Sequence, residues 1–240
     1  MANLLLLGYG RMGKLIEEVA LSRGHAIVGK VSKTSPLSAQ MLKEADVAID
    51  FSLPNIAEGL VQQTLGANVP VASGTTGWSS TDLQDQVTTE RTTAFLHATN
   101  MSIGVNVVFA ANKLIASLLG PTNQYTSKLS ETHHVHKVDA PSGTAVTLAE
   151  AILKVMPRYA EWKLEAGDEK PAQDQLSIAA HRQGEVFGDH EVTFDSQVDQ
   201  ITLSHHAKSR HGFALGAVLA AEFLIDKKGV YTMANVLGLL

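Results

Sequence analysis

The sequence predicts an α/β chain in two parts: a doubly wound parallel sheet, then a second, α+β part with a mixed or antiparallel sheet. Three observations lead there. A continuous apolar run, Asn3-Leu-Leu-Leu-Leu7, leads directly into glycines at 8, 10 and 13 and then a helical pattern. Apolar runs and helical patterns go on alternating as far as His97. Beyond Pro121 the apolar period switches to two, the mark of strands with one covered face.

Composition narrows the class further. The 240 residues carry 19 Lys+Arg against 24 Asp+Glu, a formal net charge of -5 without long runs of either sign. A nucleic-acid surface needs a basic patch, so no nucleic-acid partner is expected. There is no cysteine, hence no disulfide framework, thiol nucleophile or thiolate metal site. The opening apolar run is too short for a signal peptide, and no segment is expected to reach the roughly 18 apolar residues of a membrane helix. A cytoplasmic protein with no membrane association is the expectation, long enough to bury one large or two modest cores.

An unbroken apolar run such as residues 3–7 suits a strand buried on both faces of a parallel sheet. Gly8-Tyr-Gly-Arg-Met-Gly13 follows, and Lys14 to Ser22 reads as an amphipathic helix. Strand, G-x-G-x-x-G and helix together form a dinucleotide fingerprint. Gly8 allows the tight turn, Gly10 lets backbone approach a pyrophosphate, and Gly13 lets helix and strand pack closely. The second strand, His25 to Val31, should end near the adenosine ribose. An NAD-selective site would place Asp or Glu about 20 residues after the glycine loop. Here stand Ser32-Lys33-Thr34-Ser35, so Lys33, with Ser32, Thr34 and Arg11, is expected to meet a 2′-phosphate. NADPH is therefore the expected cofactor in preference to NADH.

Asp46 to Phe51 reads as the third strand, Ile56 to Gly66 as a helix and Val69 to Ser73 as the fourth strand. Its exit, Gly74-Thr-Thr-Gly77, lies at the carboxyl edge, where doubly wound sheets bind ligands. Ser79 to Thr88 reads as a helix, Thr92 to His97 as a strand, and Ala98 to Ser102 as another loop at that edge. This alternation is that of a Rossmann-type domain.

Val105 to Leu119 is a strongly apolar helix stopped by Gly120-Pro121. Tyr125 to His134, Leu176 to Arg182, Glu185 to Phe194 and Gln200 to Lys208 read as strands, with Gly184 and Gly188 at turns or bulges. Glu161 to Pro171 is polar and expected to be a loop; Gly212 to Lys227 is an apolar helix expected to return to the first domain. The expected division is 1–103 with 210–240 for the dinucleotide, and 104–209 for substrate and oligomer contacts.

Ser130 to Ala145, S-E-T-H-H-V-H-K-V-D-A-P-S-G-T-A, is the stretch with site-like composition. Three of the ten histidines and Lys137 fall within five positions. Ser142 is a candidate N-cap for a helix from Thr144 to Met156. Gly143 and Thr144 thus sit at a helix start, where backbone N–H groups and the macrodipole favour an anion. Lys137 adds a full charge, and the imidazoles could move protons near neutral pH. A metal reading of His133, His134 and His136 is weaker: on a strand His133 would point away from the other two, and no Cys or HExxH pattern supports zinc.

These motifs together resemble the 4-hydroxy-tetrahydrodipicolinate (dihydrodipicolinate) reductase family of lysine and diaminopimelate biosynthesis. The resemblance rests on Gly8 to Gly13, Asp50-Phe-Ser52, Gly74-Thr-Thr-Gly77, Asn100 with Gly104-Val-Asn106, and His133-His-Val-His-Lys137. Asp139-Ala-Pro-Ser-Gly-Thr-Ala145, Arg182-Gln-Gly184 and Ser209-Arg210 complete it in family order over nearly the whole chain. It implies that Gly8, Tyr9, Gly10, Arg11, Met12 and Gly13 hold the pyrophosphate. Gly74, Thr75, Thr76, Thr99, Asn100, Met101 and Ser102 would line the nicotinamide side. His133 would be proton donor/acceptor and Lys137 second proton donor, while His134, Gly143 and Thr144 bind a small dicarboxylate substrate. A homotetramer formed through the second-domain sheet is also implied.

The chain departs from the family pattern at three points: a glycine loop one residue shorter than the G-x-G-G-R-M-G form, Lys33 in place of an acidic residue, and a brief segment from Thr34 to Met41. All lie around the adenosine end, so they bear on cofactor preference rather than reaction type. Two other readings compete: a related Rossmann reductase of another cyclic imine or keto acid, and a non-catalytic NADP-binding sensor. The intact His133 and Lys137 argue against a sensor, which needs no proton donors.

Overall fold

The structure, a computed structural model, describes residues 1–165 and 171–239. The chain divides into two compact units, Met1–Ile103 with Arg210–Leu240, and Gly104–Ser209. In the first unit β1 (Asn3–Leu7), α1 (Arg11–Ser22), β2 (Ala26–Val31), α2 (Ala39–Glu44) and β3 (Val47–Asp50) lead to α3 (Pro54–Gly66), β4 (Val71–Ser73), α4 (Thr81–Glu90) and β5 (Ala94–His97). Leu4 to Leu7 are all at most 1% exposed. Such burial on both faces requires the continuous apolar run, and each leucine contributes roughly 1.5–3 kcal/mol.

The turn after β1 is glycine by necessity. Gly8 has φ +95, and a Cβ there would lie 2.4 Å from the Phe51 carbonyl oxygen. A Cβ on Gly13 would lie equally close to the Gly8 carbonyl, so α1 can approach β1 only without it. The short α2 was not foreseen; its first turn is capped by Ser38 Oγ, which accepts from Met41 N–H at 3.3 Å.

The second unit begins with α5 (Ile103–Leu119), extended by a 3-10 turn over Gly120–Thr122, then β6 (Thr126–His133) and α6 (Gly143–Leu153). Strands β7 (Glu161–Leu164), β8 (Gln175–Arg182), β9 (Asp189–Asp195) and β10 (Gln200–His206) follow. Their order is β10-β9-β6-β8-β7, with β6, β8 and β7 parallel and β9 antiparallel to both its neighbours. The sheet is therefore mixed, and α6 covers one face, Leu148 and Ile152 packing with Leu129, Ile178, Val192 and Phe194.

Three expectations need correction here. Glu161–Leu164 is a strand, not loop: its polar alternation is that of a sheet edge, with Trp162 and Leu164 turned to the core. The rest of that expected loop from 166 to 170 lies outside the described residues. β9 starts at Asp189 rather than Glu185, because Gly184 (φ +45) and Gly188 (φ +149) keep the preceding residues in a turn. Ile103–Thr122 is, by length and composition, long and apolar enough to cross a membrane, against expectation. Its buried face holds Asn106 and Asn112 beside Val105, Val108 and Ala116, and Asn112 Nδ2 donates to the Leu148 carbonyl of α6 at 3.0 Å. That is how a core helix of a globular unit packs.

The chain then completes the first unit. α7 (His211–Leu224) buries Ala214, Ala217, Val218 and Ala221 against α1, β3, β4 and β5. The strand β11 (Gly229–Tyr231) adds a sixth member, and α8 (Met233–Leu237) ends the fold behind a capping box of Thr232 and Asn235. The sheet reads β11-β5-β4-β3-β1-β2, parallel throughout. Its order reverses between β1 and β3, the kind of switch point at which such sheets bind ligands.

Candidate active site

In the first unit the site grows from the carboxyl ends of the strands. Gly10 is the N-cap of α1 and offers no side chain, and among the described residues no side-chain hydrogen bond caps the start of that helix. An anion is favoured there by the orphan N–H groups and the helix dipole. The cleft beside it has a volume of about 610 Å³ and is lined by Gly8, Tyr9, Gly10, Lys33, Phe51 and Leu53, among others. Lys33 and Thr34 form the exposed tip of a tight turn, closed by reciprocal N–H···O bonds between Ser32 and Ser35 of 2.8 and 3.2 Å. The nearby Glu17 carboxylate is engaged: Lys30 lies 2.5 Å from it and the Tyr9 hydroxyl donates to it. Together these partners hold Glu17 below its usual carboxylate range. The residues present therefore fit a dinucleotide with its pyrophosphate at α1.

The other edge loops are tied down by groups not foreseen as functional. Asp50 is fully buried and accepts from Ser52 N–H (3.0 Å) and Ser73 O–H (2.6 Å), fixing the ends of β3 and β4. The Thr75 carbonyl accepts from Trp78 Nε1 at 2.9 Å and from His97 Nε2 at 2.8 Å. A carbonyl cannot donate, so His97 carries its proton on Nε2 and its Nδ1 accepts from Ser80 Oγ. Thr76 and Thr99 are exposed, and Asn100 Oδ1 accepts from Ser102 N–H at 2.9 Å. The Met101 side chain, 1% exposed, belongs to the core, which leaves only its backbone to face a ligand.

In the second unit β6 delivers His133, and the chain then turns through 134–141 into α6. Ser142 caps that helix, its Oγ accepting from Ala145 N–H at 3.2 Å. Gly143 is exposed and Thr144 buried at the first turn. The turn is stitched to β8 by Arg182: its Nε donates to the Lys137 carbonyl at 3.1 Å and its Nη2 to that of Asp139 at 2.5 Å. Lys137 Nζ is held by the Asp139 carboxylate at 2.7 and 2.8 Å. Burial pushes the Asp139 carboxyl up, but the Lys137 ammonium outweighs it and keeps the group below its ordinary value. Because β6 ends at His133, strand alternation does not govern His134 and His136; their rings lie 6.0 Å apart on the turn, and His136 faces Glu185.

Behind the turn lies a buried cluster. Glu131 accepts from Ser142 N–H at 3.0 Å and from the Ser142 hydroxyl. His133 and His190 meet edge to face at 5.1 Å, and Ser142 Oγ is 3.2 Å from His190 Nε2. Desolvation lowers the His133 pKa from its usual value, with Glu131 opposing and Lys137 and Arg182 adding to the fall. Burial, reinforced by His133, pushes His190 down to about 3. Both imidazoles are thus neutral near pH 7. Glu131, His133 and His190 bring three potential ligand atoms within 4.8 Å of one another. Since both Glu131 oxygens already accept from Ser142, the group is built as a hydrogen-bonded cluster.

Residues 2–101 match the family model for the N-terminal part of dihydrodipicolinate reductase, and residues 104–237 the model for its C-terminal part. The chain belongs to the dihydrodipicolinate reductase family. A family member from Christiangramia forsetii, named 4-hydroxy-tetrahydrodipicolinate reductase, is 43% identical over 98% of both chains. One of the same name from Staphylococcus epidermidis is 37% identical over 97% of this chain and 99% of its own. The fold is also that of a solved dipicolinate-bound dihydrodipicolinate reductase from Paenisporosarcina sp. TG-14: TM-score 0.77, 21% identity, 97% of each chain covered. A looser likeness, TM-score 0.54 at 10% identity over 94% and 98% of the two chains, links it to an aspartate semialdehyde dehydrogenase of Vibrio cholerae.

The family motifs therefore divide between the two units. Gly8, Tyr9, Gly10 and Lys33 line the cleft of the first unit, while His133, Lys137, Gly143 and Thr144 lie along the stretch from the end of β6 to the start of α6 in the second. Sequence reasoning missed Glu131, His190 and the role of Arg182. One signal was available for Glu131: in T-S-K-L-S-E-T-H it falls on the same strand face as Leu129 and His133, where a solvated carboxylate would not stand.

Proposed function

We infer that the chain carries its family's reaction, reduction of 4-hydroxy-tetrahydrodipicolinate to tetrahydrodipicolinate with a nicotinamide dinucleotide, in lysine and diaminopimelate biosynthesis. The observation that carries this is the capped start of α6 beside a buried imidazole and an ammonium group: an anion site with two proton carriers. The dinucleotide, when bound, supplies the hydride. The first unit is its binding domain and the second the substrate domain. The α1 N-terminus receives the pyrophosphate, and the loops at Gly74–Thr76 and Thr99–Ser102 border the nicotinamide. Gly143, Thr144 and His134 bind the substrate carboxylates. Hydride addition to a conjugated imine displaces charge that a proton must meet. His133, neutral and buried, is the proton donor/acceptor; Lys137, cationic and loop-mounted, stabilises the developing charge and is the second proton donor.

Lys33 selects NADPH over NADH by meeting the 2′-phosphate, supported by its exposed position at the turn tip above the cleft. The face of the second sheet turned from α6 presents Lys128, Glu191, Ser204 and His206, exposed within one chain, which supports a tetramer built on that face. A cysteine-free chain suits the reducing cytoplasm. The test is a coupled assay in which a dihydrodipicolinate synthase makes substrate in place while nicotinamide absorbance is followed with NADPH and NADH in parallel. Oxidation only while substrate forms is expected, faster with NADPH. No oxidation with either, by a protein that still binds NADPH, would point to another imine substrate or to a sensor.

A further inference from the structure

We propose that Glu131 is a positioning residue for the proton chemistry of the second unit: its buried carboxylate orients His133 and fixes which ring nitrogen exchanges the proton, while anchoring the start of α6. This rests on the reading of His133 as a proton donor/acceptor. Glu131 is 1% exposed and stands two residues before His133 on the face of β6 turned to α6. Its Oε2 lies 3.6 Å from both His133 Nδ1 and His190 Nε2, and its Oε1 3.6 Å from Arg182 Nη1. A helix anchor alone would need only the two bonds from Ser142. The same carboxylate is also aimed at an imidazole nitrogen, His133 Nδ1, that is buried and has no hydrogen-bond partner among the described residues.

A carboxylate facing Nδ1 favours the tautomer with the proton there, which leaves Nε2 to exchange. That nitrogen is kept clear by Gly188, where even a Cβ would lie 3.0 Å from it. The charged and titratable groups around the ring are Glu131 on β6, Asp139 and Lys137 on the turn, Arg182 on β8 and His190 on β9. Glu131 and Asp139 favour the imidazolium, while Lys137 and Arg182 oppose it. Removing the buried anion should therefore make the ring harder to protonate.

The experiment follows the His133 ring by 1H–13C NMR across pH, the signal assigned with His133→Asn, and records kcat/KM against pH for the same proteins. In Glu131→Gln the His133 midpoint is expected to fall by about one pH unit, the kcat/KM limb that reports His133 moving with it. Glu131→Asp, which keeps the charge one methylene further away, should give an intermediate midpoint; where the Gln variant does not fold, this variant carries the same test. Ser142→Ala removes the hydroxyl bond of the helix anchor, keeps the backbone N–H bond to Oε1 and leaves the carboxylate facing the ring, so KM should rise with the midpoint unmoved. A wild-type midpoint in the Glu131 variants overturns the proposal, as does a Ser142→Ala shift as large as that of Glu131→Gln. Should His133→Asn keep full turnover, the proton-donor reading fails on its own, while the NMR midpoints still decide whether Glu131 governs the ring.

Discussion

Lys137 illustrates how much one side chain depends on its turn. Its ammonium is held by Asp139, two residues on, and its carbonyl by Arg182, so its place is set by a network rather than by a regular element. Lys137→Ala should lower kcat by about 10²–10⁴ while leaving the NADPH dissociation constant unchanged in a fluorescence titration; near-normal turnover would remove it from the chemistry. Lys33→Glu should weaken NADPH relative to NADH, measured as the ratio of the two kcat/KM values, and an unchanged ratio would end the 2′-phosphate role. Both residues were legible in the sequence, because a lysine beside clustered histidines, or in place of an expected carboxylate, stands out by type. Glu131 was legible only through the strand face it shares with Leu129 and His133, and His190 was not. A lone imidazole in an alternating strand does not stand out by type until the sheet is assembled and α6 closes over it.

Helices and strands followed their local signals where those signals were long. β1 was visible because a parallel strand buried on both faces must be apolar at every position, and α6 because Ser142 and the helical spacing agree. Four elements were not visible: α2 has six residues, α8 has five, β11 has three, and β7 lies at a sheet edge where polar residues are tolerated. Elements this short owe their conformation to the neighbours they pair or pack with, and no periodicity develops in them. The cap of α6 yields a prediction at this level. Ser142→Ala should lower stability by about 1 kcal/mol from the lost cap, with more from the hydroxyl bond left unmade at Glu131, read as a lower urea midpoint for the second unit.

The molecule as a whole carries a dependence on pH through its buried histidines. His190 in the folded chain is pushed down to about 3 from an ordinary value of 6.5. Above pH 6.5 both states leave it neutral and it contributes nothing; as pH falls below that, the unfolded chain takes up the proton first and stability declines, continuing towards pH 3. The loss should reach about 2 kcal/mol by pH 5, seen as a drop in Tm between pH 7 and 5 that His190→Gln reduces. With two units in one chain, the melting curve need not be a single two-state transition. The division of the chain also sets an order of events during synthesis. Gly104–Ser209 is continuous, whereas the first unit needs α7 and β11 from beyond Arg210 to close its core and its sheet. On the ribosome the later-encoded, inserted unit can therefore fold before the one that begins the chain. While residues 211–231 are still to be made, at about 5–20 residues per second, the apolar underside of the first sheet awaits the helix that covers it, the interval in which a nascent-chain chaperone has most to hold.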